Sequence, residues 1–349
     1  MRQRHWFSIL TILAIMVIVF TAGCGNNNQS ANAAQGNANG ANASGANAAG
    51  NAADKPANDA ATNDAAANTA PADDKKDWPE VIRFGVLPGE EEGKLSRGNQ
   101  QFVDDLGKAL GIKTELYVGE DYTAVIEAMR TKKIDIAGFG PFSYIIAAQR
   151  SGAVPFAVKA ASKETAFYHS LIVVPANSPA KSIADLKGKT FLFADPASTS
   201  GHLFPRMMMI KELGITNDQV ESYFSNVSFS GGHDKSIIAI AKGQADGAGV
   251  CDSCIDRVVE AGLVKKSDYK VIGTSDPIPG SPLAYRGDLP ADLVEKIKDF
   301  VFNYDKQNPE FFKDANGNMT HYFPVTDADY QVVKDTATAL NMSPEELLK

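Results

Sequence analysis

Short apolar segments alternate with amphipathic segments from residue 81 to residue 274, and this alternation constrains the fold more than any other feature of the chain. The apolar segments end at glycine, proline or small polar residues, which is typical of buried strands. The segments between them carry apolar residues at helical spacing. Because strands that alternate with helices form sheets with parallel strand pairs, the sequence predicts an α/β fold.

Two proline-containing segments, at 175–179 and 275–282, interrupt the alternation and are better suited to connections than to strands. The expected architecture is therefore two α/β lobes joined by two crossover segments, with a ligand cleft between them. One lobe would comprise residues 79–175 and 276–349, and the other residues 176–275. Strand ends and helix starts of open α/β sheets face such a crevice, so ligand-binding residues are expected there.

The first 23 residues have the pattern of an export signal. Arg2 and Arg4 precede an apolar stretch that ends in small residues before Cys24. An uncleaved transmembrane anchor is the alternative, but the stretch is short for a membrane span. Small residues before a cysteine resemble a bacterial lipobox, which implies cleavage before Cys24 and a lipid such as palmitate on its sulfur, although Thr21 stands where leucine is usual. The expected location is the extracytoplasmic face of the cell membrane.

Residues 24–78 are expected to form a tether. Up to Trp78 the segment consists mainly of Asn, Ala, Gly, Ser and Gln, with later Asp and Lys, and it has no aromatic residue. Such a composition cannot bury enough apolar surface to offset the entropy of ordering. We therefore expect a flexible segment that holds the folded part away from a membrane, with a functional low-complexity segment as the alternative.

The charge of the chain excludes one class of partner. It has 34 Lys and Arg against 42 Asp and Glu, and its formal net charge is −8 at pH 7. Since no basic block stands out, nucleic-acid binding has no electrostatic support. An acidic protein that binds an anion must do so with donors aimed locally at the ligand.

The cysteines leave two interpretations open. Cys251 and Cys254 form a C-x-x-C pair, and Cys24 is the third cysteine of the chain. One such pair lacks the second pair that a structural zinc site needs. A local disulfide suits an exported protein, and two buried thiols are the alternative. A thioredoxin-like redox role lacks the expected surroundings.

Ser198, Thr199, Ser200 and Gly201 lie between a predicted strand and a helix predicted at 202–213. The first turn of a helix has unpaired N–H groups and the positive end of the helix dipole. A helix cap needs one hydroxyl residue, and three exceed that need. Because glycine also permits close approach of the backbone, the sequence predicts an anion site here, with an ordinary cap as the alternative.

Further candidates occupy other strand-to-helix junctions. His233 follows two glycines, and its imidazole can donate to an oxyanion. Asp252 either caps the next helix or accepts a proton from a protonated oxyanion or an ammonium group. Tyrosine hydroxyls and an imidazole from the first lobe can donate across the cleft, although each such residue alone is more often part of a core. These first-lobe candidates are Tyr122, Tyr144, Tyr168 and His169.

Enzyme and metal signatures are weak. Ser200, His233 and Asp252 can be arranged as a nucleophile triad, but the G-x-S-x-G elbow is missing. A metal site could be considered for four residues, but their spacing matches no known metal-binding pattern. They are His169, His202, His233 and Asp252. We therefore expect a binding protein without cofactor or metal, and we keep a surface phosphoester hydrolase as the alternative.

Seven short motifs carry a resemblance to a known family. They are FGVLP at 84–88, DYTAVIEA at 121–128, FGPFSY at 139–144, YHSLIV at 168–173, DPASTSG at 195–201, GHD at 232–234 and IPGSP at 278–282. In this order they resemble the PhnD-like family of phosphate-, phosphite- and phosphonate-binding proteins of ABC importers, which have the type II periplasmic binding protein fold. The resemblance covers nearly all of residues 81–348.

The resemblance implies a two-lobe clamp that closes on a small phosphorus oxyanion and delivers it to a permease and its ATPase. The residues that it implies as donors to the oxyanion are Tyr122, Tyr168, Ser198, Thr199, Ser200 and His233. Asp252 lies where many members place an acidic residue near the ligand. Ser281 stands where some phosphonate binders carry an acidic residue that reaches the ligand's amino group, which argues against an aminoalkyl ligand. A sensing module for a membrane kinase is a further alternative.

Overall fold

The computed structural model describes residues 75, 77–89, 94–313 and 319–342. The predicted export signal, the predicted lipidation site Cys24 and nearly all of the predicted tether lie outside these residues. Trp78, which the sequence analysis places at the end of the tether, is part of the fold, since it is buried and its Nε1 donates to Asp292 Oδ2 at 2.7 Å. Within the described ranges, no helix is long and apolar enough to cross a membrane.

Strands and helices alternate along most of the described chain. The strands are β1 (Val81–Val86), β2 (Lys113–Val118), β3 (Ile136–Gly138), β4 (Ala153–Ala160), β5 (Phe167–Tyr168), β6 (Ser170–Pro175), β7 (Thr190–Phe193), β8 (Asn226–Phe229), β9 (Gly247–Cys251), β10 (Tyr269–Thr274), β11 (Ile278–Pro279), β12 (Pro282–Arg286) and β13 (His321–Pro324). The α-helices are α1 (Lys94–Leu110), α2 (Tyr122–Arg130), α3 (Pro141–Ser151), α4 (Phe204–Leu213), α5 (Val220–Tyr223), α6 (His233–Ala241), α7 (Asp252–Glu260), α8 (Ala291–Gln307) and α9 (Gln331–Ala339). A π-helical turn, Thr199–Leu203, leads into α4, and short 3₁₀ turns lie at Lys163–Thr165, Ile183–Leu186, Asn217–Gln219, Pro309–Phe312 and Asp327–Tyr330.

Six strands form the sheet of the first lobe, in the order β13-β4-β12-β3-β1-β2. Strand β1 is parallel to β2 and β3, as strand–helix alternation predicts. Strand β12 lies antiparallel between β3 and β4, and β13 is antiparallel to β4. Strands β12 and β13 were not predicted from the sequence. Both are short, and their partners lie far away in the chain.

Five strands form the sheet of the second lobe, in the order β10-β6-β9-β7-β8. Strand β7 is parallel to β8 and β9, whereas β6 is antiparallel to β9 and β10. Residues 79–175 were assigned to the first lobe from the sequence, but the sheet partners of β6 place this strand in the second lobe. The side chains explain this, because Ile172 and Val174 are buried in one core of the second lobe and Val173 in the other.

The two connections between the lobes run side by side. Strands β5 and β11 pair antiparallel, with Tyr168 opposite Ile278 and Phe167 opposite Pro279. The chain therefore leaves the first lobe between β4 and β6, before the segment 175–179, and it returns between β10 and β12. This arrangement places Tyr168 at the junction of the lobes.

An apolar cluster joins the lobes beside the start of α4. Leu203 and Phe204 come from the second lobe and are 0% and 5% exposed. They pack in one cluster with Val125 of α2, Ile146 of α3 and Tyr330 near α9. Burial of this much apolar surface holds the start of α4 against the first lobe.

Candidate functional site

The predicted anion site is a buried turn at the start of α4, which we call the serine turn (residues 198–201). Ser198, Thr199 and Ser200 are 1%, 2% and 2% exposed. Ser198 caps the π-helical turn, because its Oγ accepts a hydrogen bond from Gly201 N at 3.0 Å. The helical region thus begins earlier than the predicted residue 202. π-Helical turns within helices are frequent at functional sites.

Gly201 is needed for the close packing of the serine turn. A Cβ at this position would lie 2.4 Å from Ala194 Cβ and 2.9 Å from His233 Cε1. Its carbonyl oxygen accepts from Ala194 N at 2.9 Å, which ties the turn to the end of β7. Glycine therefore brings the turn against both β7 and the imidazole of His233.

The start of α3 in the first lobe faces the serine turn. Phe142 N donates to Thr199 Oγ1 at 2.8 Å. Gly140 precedes α3 without a side-chain cap, and Pro141 at the first helical position has no N–H. Two helix starts, one from each lobe, therefore converge on Thr199, and the positive ends of both helix dipoles meet there. The sequence analysis did not name this helix start as part of the site, although the Gly-Pro pair at a strand-to-helix junction is a recognisable signal.

Tyr168 reaches the serine turn from the crossover. Its hydroxyl lies beside the side chains of Ser200 and Thr199. Burial raises the pKa of Tyr168 to about 12, so the phenol stays protonated at neutral pH and remains a donor. Ser170 Oγ donates to the backbone oxygen of Ser200 at 2.7 Å. The structure thus brings Tyr168 and the serine turn together, as the cleft hypothesis requires.

Tyr122 begins α2 and contacts the second lobe just before the serine turn. It is 5% exposed, and its backbone N–H donates to Asp195 Oδ2 at 3.4 Å. Asp195 Oδ1 accepts from Ala197 N at 2.8 Å. Burial raises the pKa of the Asp195 carboxyl. The sequence analysis did not select Asp195, which links the start of α2 to the loop that leads into the serine turn.

His233 lies against the serine turn as a neutral imidazole. Its Nε2 is 3.3 Å from Ser198 Oγ. Burial, together with the positive charge of Arg257, lowers the pKa of His233 to about 3. Since Ser198 Oγ accepts from Gly201 N, its own proton can go to Nε2, and the imidazole proton then resides on Nδ1. Nδ1 is buried and has no hydrogen-bond partner among the described residues.

Asp252 is bound by neighbouring groups of the protein. Its Oδ2 accepts from His169 N at 3.0 Å and lies 3.2 Å from His169 Nδ1, and its Oδ1 accepts from Ser253 N at 2.7 Å. His233 contacts Ser198 instead. The nucleophile triad considered from the sequence, with Ser200 as its nucleophile, is therefore not assembled in this structure.

Two weaker candidates lie elsewhere. The hydroxyl of Tyr144 donates to Asp327 Oδ1 at 2.6 Å, and its ring packs against Tyr330 at a centroid distance of 5.1 Å. Burial raises the pKa of Tyr144, and so does the hydrogen bond to Asp327. Tyr144 thus occupies the core between α3 and α9, where its hydroxyl is bonded to Asp327. Ser281 is exposed in the connection from β11 to β12.

His202 supports the serine turn from the protein side. Its Nδ1 is 2.8 Å from Pro196 O, and its Nε2 accepts from Arg206 Nε at 2.8 Å. Burial lowers the pKa of His202 to about 3, so it is neutral at pH 7. Arg206 also donates to Asn217 Oδ1 at 2.7 Å and pairs with Glu221. Because His202 is held here, the four residues considered as a metal site are not brought together.

The C-x-x-C pair forms a disulfide across the first turn of α7, which decides between the two interpretations left open by the sequence. Cys251 caps the helix, and its Sγ accepts from Cys254 N at 3.0 Å. A ring nitrogen of His233 and the two sulfurs lie within 4.8 Å of one another. The disulfide therefore borders the candidate anion site.

Two α/β lobes that enclose buried hydrogen-bond donors define a two-lobed substrate-binding protein. The chain belongs to the family of periplasmic phosphonate substrate-binding proteins of ABC transporters, whose family model matches residues 84–330. It is 31% identical over 275 residues to the phosphate-import protein PhnD of Mycolicibacterium smegmatis, an alignment that covers 74% of this chain and 85% of that protein. The family predicted from the seven motifs is thereby confirmed.

Solved structures confirm the predicted fold. The binding-protein component of an ABC phosphonate transporter from Pseudomonas aeruginosa is 26% identical, with a TM-score of 0.66 over 73% of this chain and 85% of that chain. PhnD1 from Prochlorococcus marinus, solved in complex with methylphosphonate, also has a TM-score of 0.66, with 20% identity over 76% of this chain and 100% of that chain. The shared architecture is that of type II periplasmic binding proteins.

Proposed function

We propose that this protein captures a small phosphorus oxyanion, either phosphite, phosphate or a phosphonate, between its lobes and delivers it to the permease of an ABC importer. The observation that carries the proposal is the convergence of two helix starts on Thr199, one from each lobe. Helix starts bind phosphorus oxyanions because their N–H groups and dipoles are already oriented. The names of the relatives support this ligand class, since one is a phosphate-import protein and another belongs to a phosphonate transporter.

Neutral groups would hold the anion. The hydroxyls of Tyr168 and of the serine turn donate hydrogen bonds, and the phenol keeps its proton because its pKa is raised to about 12 by burial. His233 offers a buried Nδ1 that has no partner among the described residues. Leaving such a donor unsatisfied costs about 1–3 kcal/mol, which an oxyanion acceptor would recover. Oriented dipoles can thus bind an anion within an acidic protein.

Asp252 bears on the choice of ligand. A carboxylate near an oxyanion favours a ligand that shares a proton or carries an ammonium group. Here the carboxylate accepts from two N–H groups and lies beside the ring of His169, so the protein itself satisfies it without a ligand cation. Ser281 provides no second carboxylate. We therefore propose a preference for phosphite, phosphate or methylphosphonate over 2-aminoethylphosphonate.

Isothermal titration calorimetry with phosphite, phosphate, methylphosphonate and 2-aminoethylphosphonate tests the proposal. We expect binding of at least one of the first three, and weaker or no binding of the amino compound. Sulfate serves as the matched control for an oxyanion without phosphorus. Absence of binding to all four phosphorus compounds would refute the proposed function, and preferential binding of 2-aminoethylphosphonate would refute the proposed selectivity.

We further propose that the protein binds without turnover. Support comes from the contacts of the three triad candidates, because His233 lies against Ser198 while Asp252 is engaged by His169. A phosphoester hydrolase would need a base beside its nucleophile. Incubation of the purified protein with a chromogenic phosphoester should release no product above the level of a Ser200→Ala variant.

Attachment to the membrane through Cys24 is also proposed. Family members serve ABC importers outside the cytoplasm, and the small residues before Cys24 resemble a lipobox. Fractionation of cells should find the wild-type chain with the membranes and a Cys24→Ala variant outside them. Equal membrane association of both chains, with no lipid mass on the N-terminal peptide, would refute the anchor.

A further inference from the structure

The Cys251–Cys254 disulfide borders the candidate site, although oxyanion binding by the serine turn does not by itself require a disulfide there. The two cysteines are 3% and 7% exposed. Disulfides that exchange with other proteins need an accessible and reactive sulfur, so this burial argues against a role in thiol exchange. The disulfide closes a ring across the first turn of α7, and Asp252 lies within that ring.

Asp252 connects the disulfide with the crossover. Its carboxylate accepts from His169 N at 3.0 Å, and its own N–H donates to His169 O at 3.1 Å. His169 follows Tyr168, whose hydroxyl lies beside the side chains of Ser200 and Thr199. If Asp252, the first residue of α7, shifts, its two hydrogen bonds to the backbone of His169 shift with it. The neighbouring Tyr168, a proposed donor at the serine turn, then moves as well.

His233 connects the disulfide with the site from another side. A ring nitrogen lies within 4.8 Å of both sulfurs, and Nε2 is 3.3 Å from Ser198 Oγ. Since Nδ1 has no hydrogen-bond partner in the described part of the chain, packing against its neighbours holds the ring in place. Two separate thiols occupy more space than two bonded sulfurs, so breaking the disulfide would disturb this packing.

We propose that the Cys251–Cys254 disulfide is a positioning element of the anion site and that its reduction weakens capture of the oxyanion. This inference rests on the proposed function. In the reduction, the S–S bond accepts two electrons and two protons from a dithiol, which gives two cysteine thiols and oxidises the dithiol to its own disulfide. Asp252 then lies in an open turn, and its hold on His169, and with it the position of the Tyr168 hydroxyl, is loosened.

Calorimetry on one polypeptide in two redox states tests the proposal. The chain carries Cys24→Ala, so that Cys251 and Cys254 are its only cysteines. Phosphite, phosphate and methylphosphonate are titrated into the oxidised protein and into protein reduced with dithiothreitol, with EDTA present to keep metal ions off the freed thiols. A thiol titration confirms the reduction. We expect the reduced protein to bind about tenfold more weakly, as the loss of one well-placed hydrogen bond would cause.

Two variants separate positioning from a general effect on stability. A Cys251→Ser, Cys254→Ser chain should bind as weakly as the reduced protein and should not respond to dithiothreitol. An Asp252→Asn chain should lose less affinity on reduction than the wild type, because coupled groups give non-additive effects. If the double serine variant does not fold, the affinities of the oxidised and reduced Cys24→Ala chain still decide the question, because that chain keeps both site cysteines.

The outcomes distinguish this inference from the function on which it rests. Equal affinities in the two redox states would overturn the inference and leave the proposed function intact. An equal loss on reduction with and without Asp252→Asn would overturn the path through Asp252. If the oxidised protein bound neither these three anions nor 2-aminoethylphosphonate, the proposed function and this inference with it would be overturned.

Discussion

Phe142 and Thr199 come from different lobes, and the backbone N–H of Phe142 donates to Thr199 Oγ1 at 2.8 Å. This hydrogen bond satisfies an N–H in the first turn of α3 with a side chain in the first turn of the π-helical segment before α4. Helix starts normally leave such N–H groups without an intrahelical partner. The same contact therefore joins the lobes and directs two helix dipoles to one point, where we propose that the anion binds.

Thr199→Val tests this contact with little change in shape. Valine leaves the Phe142 N–H buried without an acceptor, at a cost of about 1–3 kcal/mol, and removes a hydroxyl from the serine turn. We expect affinity for the preferred phosphorus oxyanion to fall by about tenfold or more in calorimetry. Thr199→Ser keeps the hydroxyl and should remain close to the wild type. Equal affinity of the valine variant and the wild type would remove Thr199 from the site.

Tyr168→Phe removes a hydroxyl that lies beside Ser200 and Thr199 of the serine turn. We expect about tenfold weaker binding, since the phenol is a neutral donor whose pKa burial raises to about 12. Tyr144→Phe is the matched control, because the Tyr144 hydroxyl donates to Asp327 instead. An equal loss of affinity in both variants, measured by calorimetry, would contradict the assignment of Tyr168 as the donor from the first-lobe side.

Gly201→Ala should destabilise the protein. The added methyl would lie 2.4 Å from Ala194 Cβ, which forces the turn away from β7. We expect the free energy of unfolding, measured by urea denaturation, to fall by about 2 kcal/mol or more, as crowding in a packed interior does. Gly98→Ala in α1 is the control, because the nearest atom there is a Phe311 carbon at 3.8 Å. Similar unfolding midpoints for the two variants would show that the turn tolerates the methyl.

Acid should destabilise the protein through His202 and His233. Burial lowers both pKa values from 6.5 to about 3. At pH values between about 3 and 6.5, the unfolded chain therefore binds protons at these histidines that the folded chain does not. Stability is therefore retained above pH 6.5 and lost as the pH falls below it. Near pH 5.5 each histidine should cost about 1.4 kcal/mol, measured by urea denaturation.

Single variants give the control for this pH dependence. His233→Gln and His202→Gln should each flatten the acid slope by about one proton relative to the wild type. Gly98→Ala in α1, which changes no titratable group, should leave the acid slope unchanged. A wild-type slope that persists in both of the first two variants would contradict the assignment of buried neutral imidazoles.

Local patterns predicted the elements whose structure depends on nearby residues. The alternation of strands and helices between residues 81 and 274 agrees with the sequence analysis. Apolar spacing and flanking turn residues are sufficient for such segments. The lobe to which β6 belongs was predicted wrongly, and β12 was missed, because sheet partners distant in the chain decide both. No pattern within a short segment contains that information.

The same distinction applies to the candidate site. Hydroxyl residues at a strand-to-helix junction indicated the serine turn, and the structure brings Tyr168 to it. Asp195 was missed because its contribution arises only when the two lobes meet, whereas the Gly-Pro pair at the start of α3 was a signal that was not used. The engagement of Asp252 by His169 depends likewise on the path of the crossover. Ligand binding by the predicted residues stays a prediction.

A crystal structure of the protein grown with methylphosphonate tests the central claim most directly. We predict that the phosphonate oxygens lie within hydrogen-bond distance of Thr199, Ser200 and Tyr168 and at the first turn of α3. Phosphate at the same concentration provides the comparison, and its oxygens should occupy the same positions. A ligand bound away from the serine turn, or a turn without ligand at a saturating concentration of methylphosphonate and of phosphate, would contradict the account.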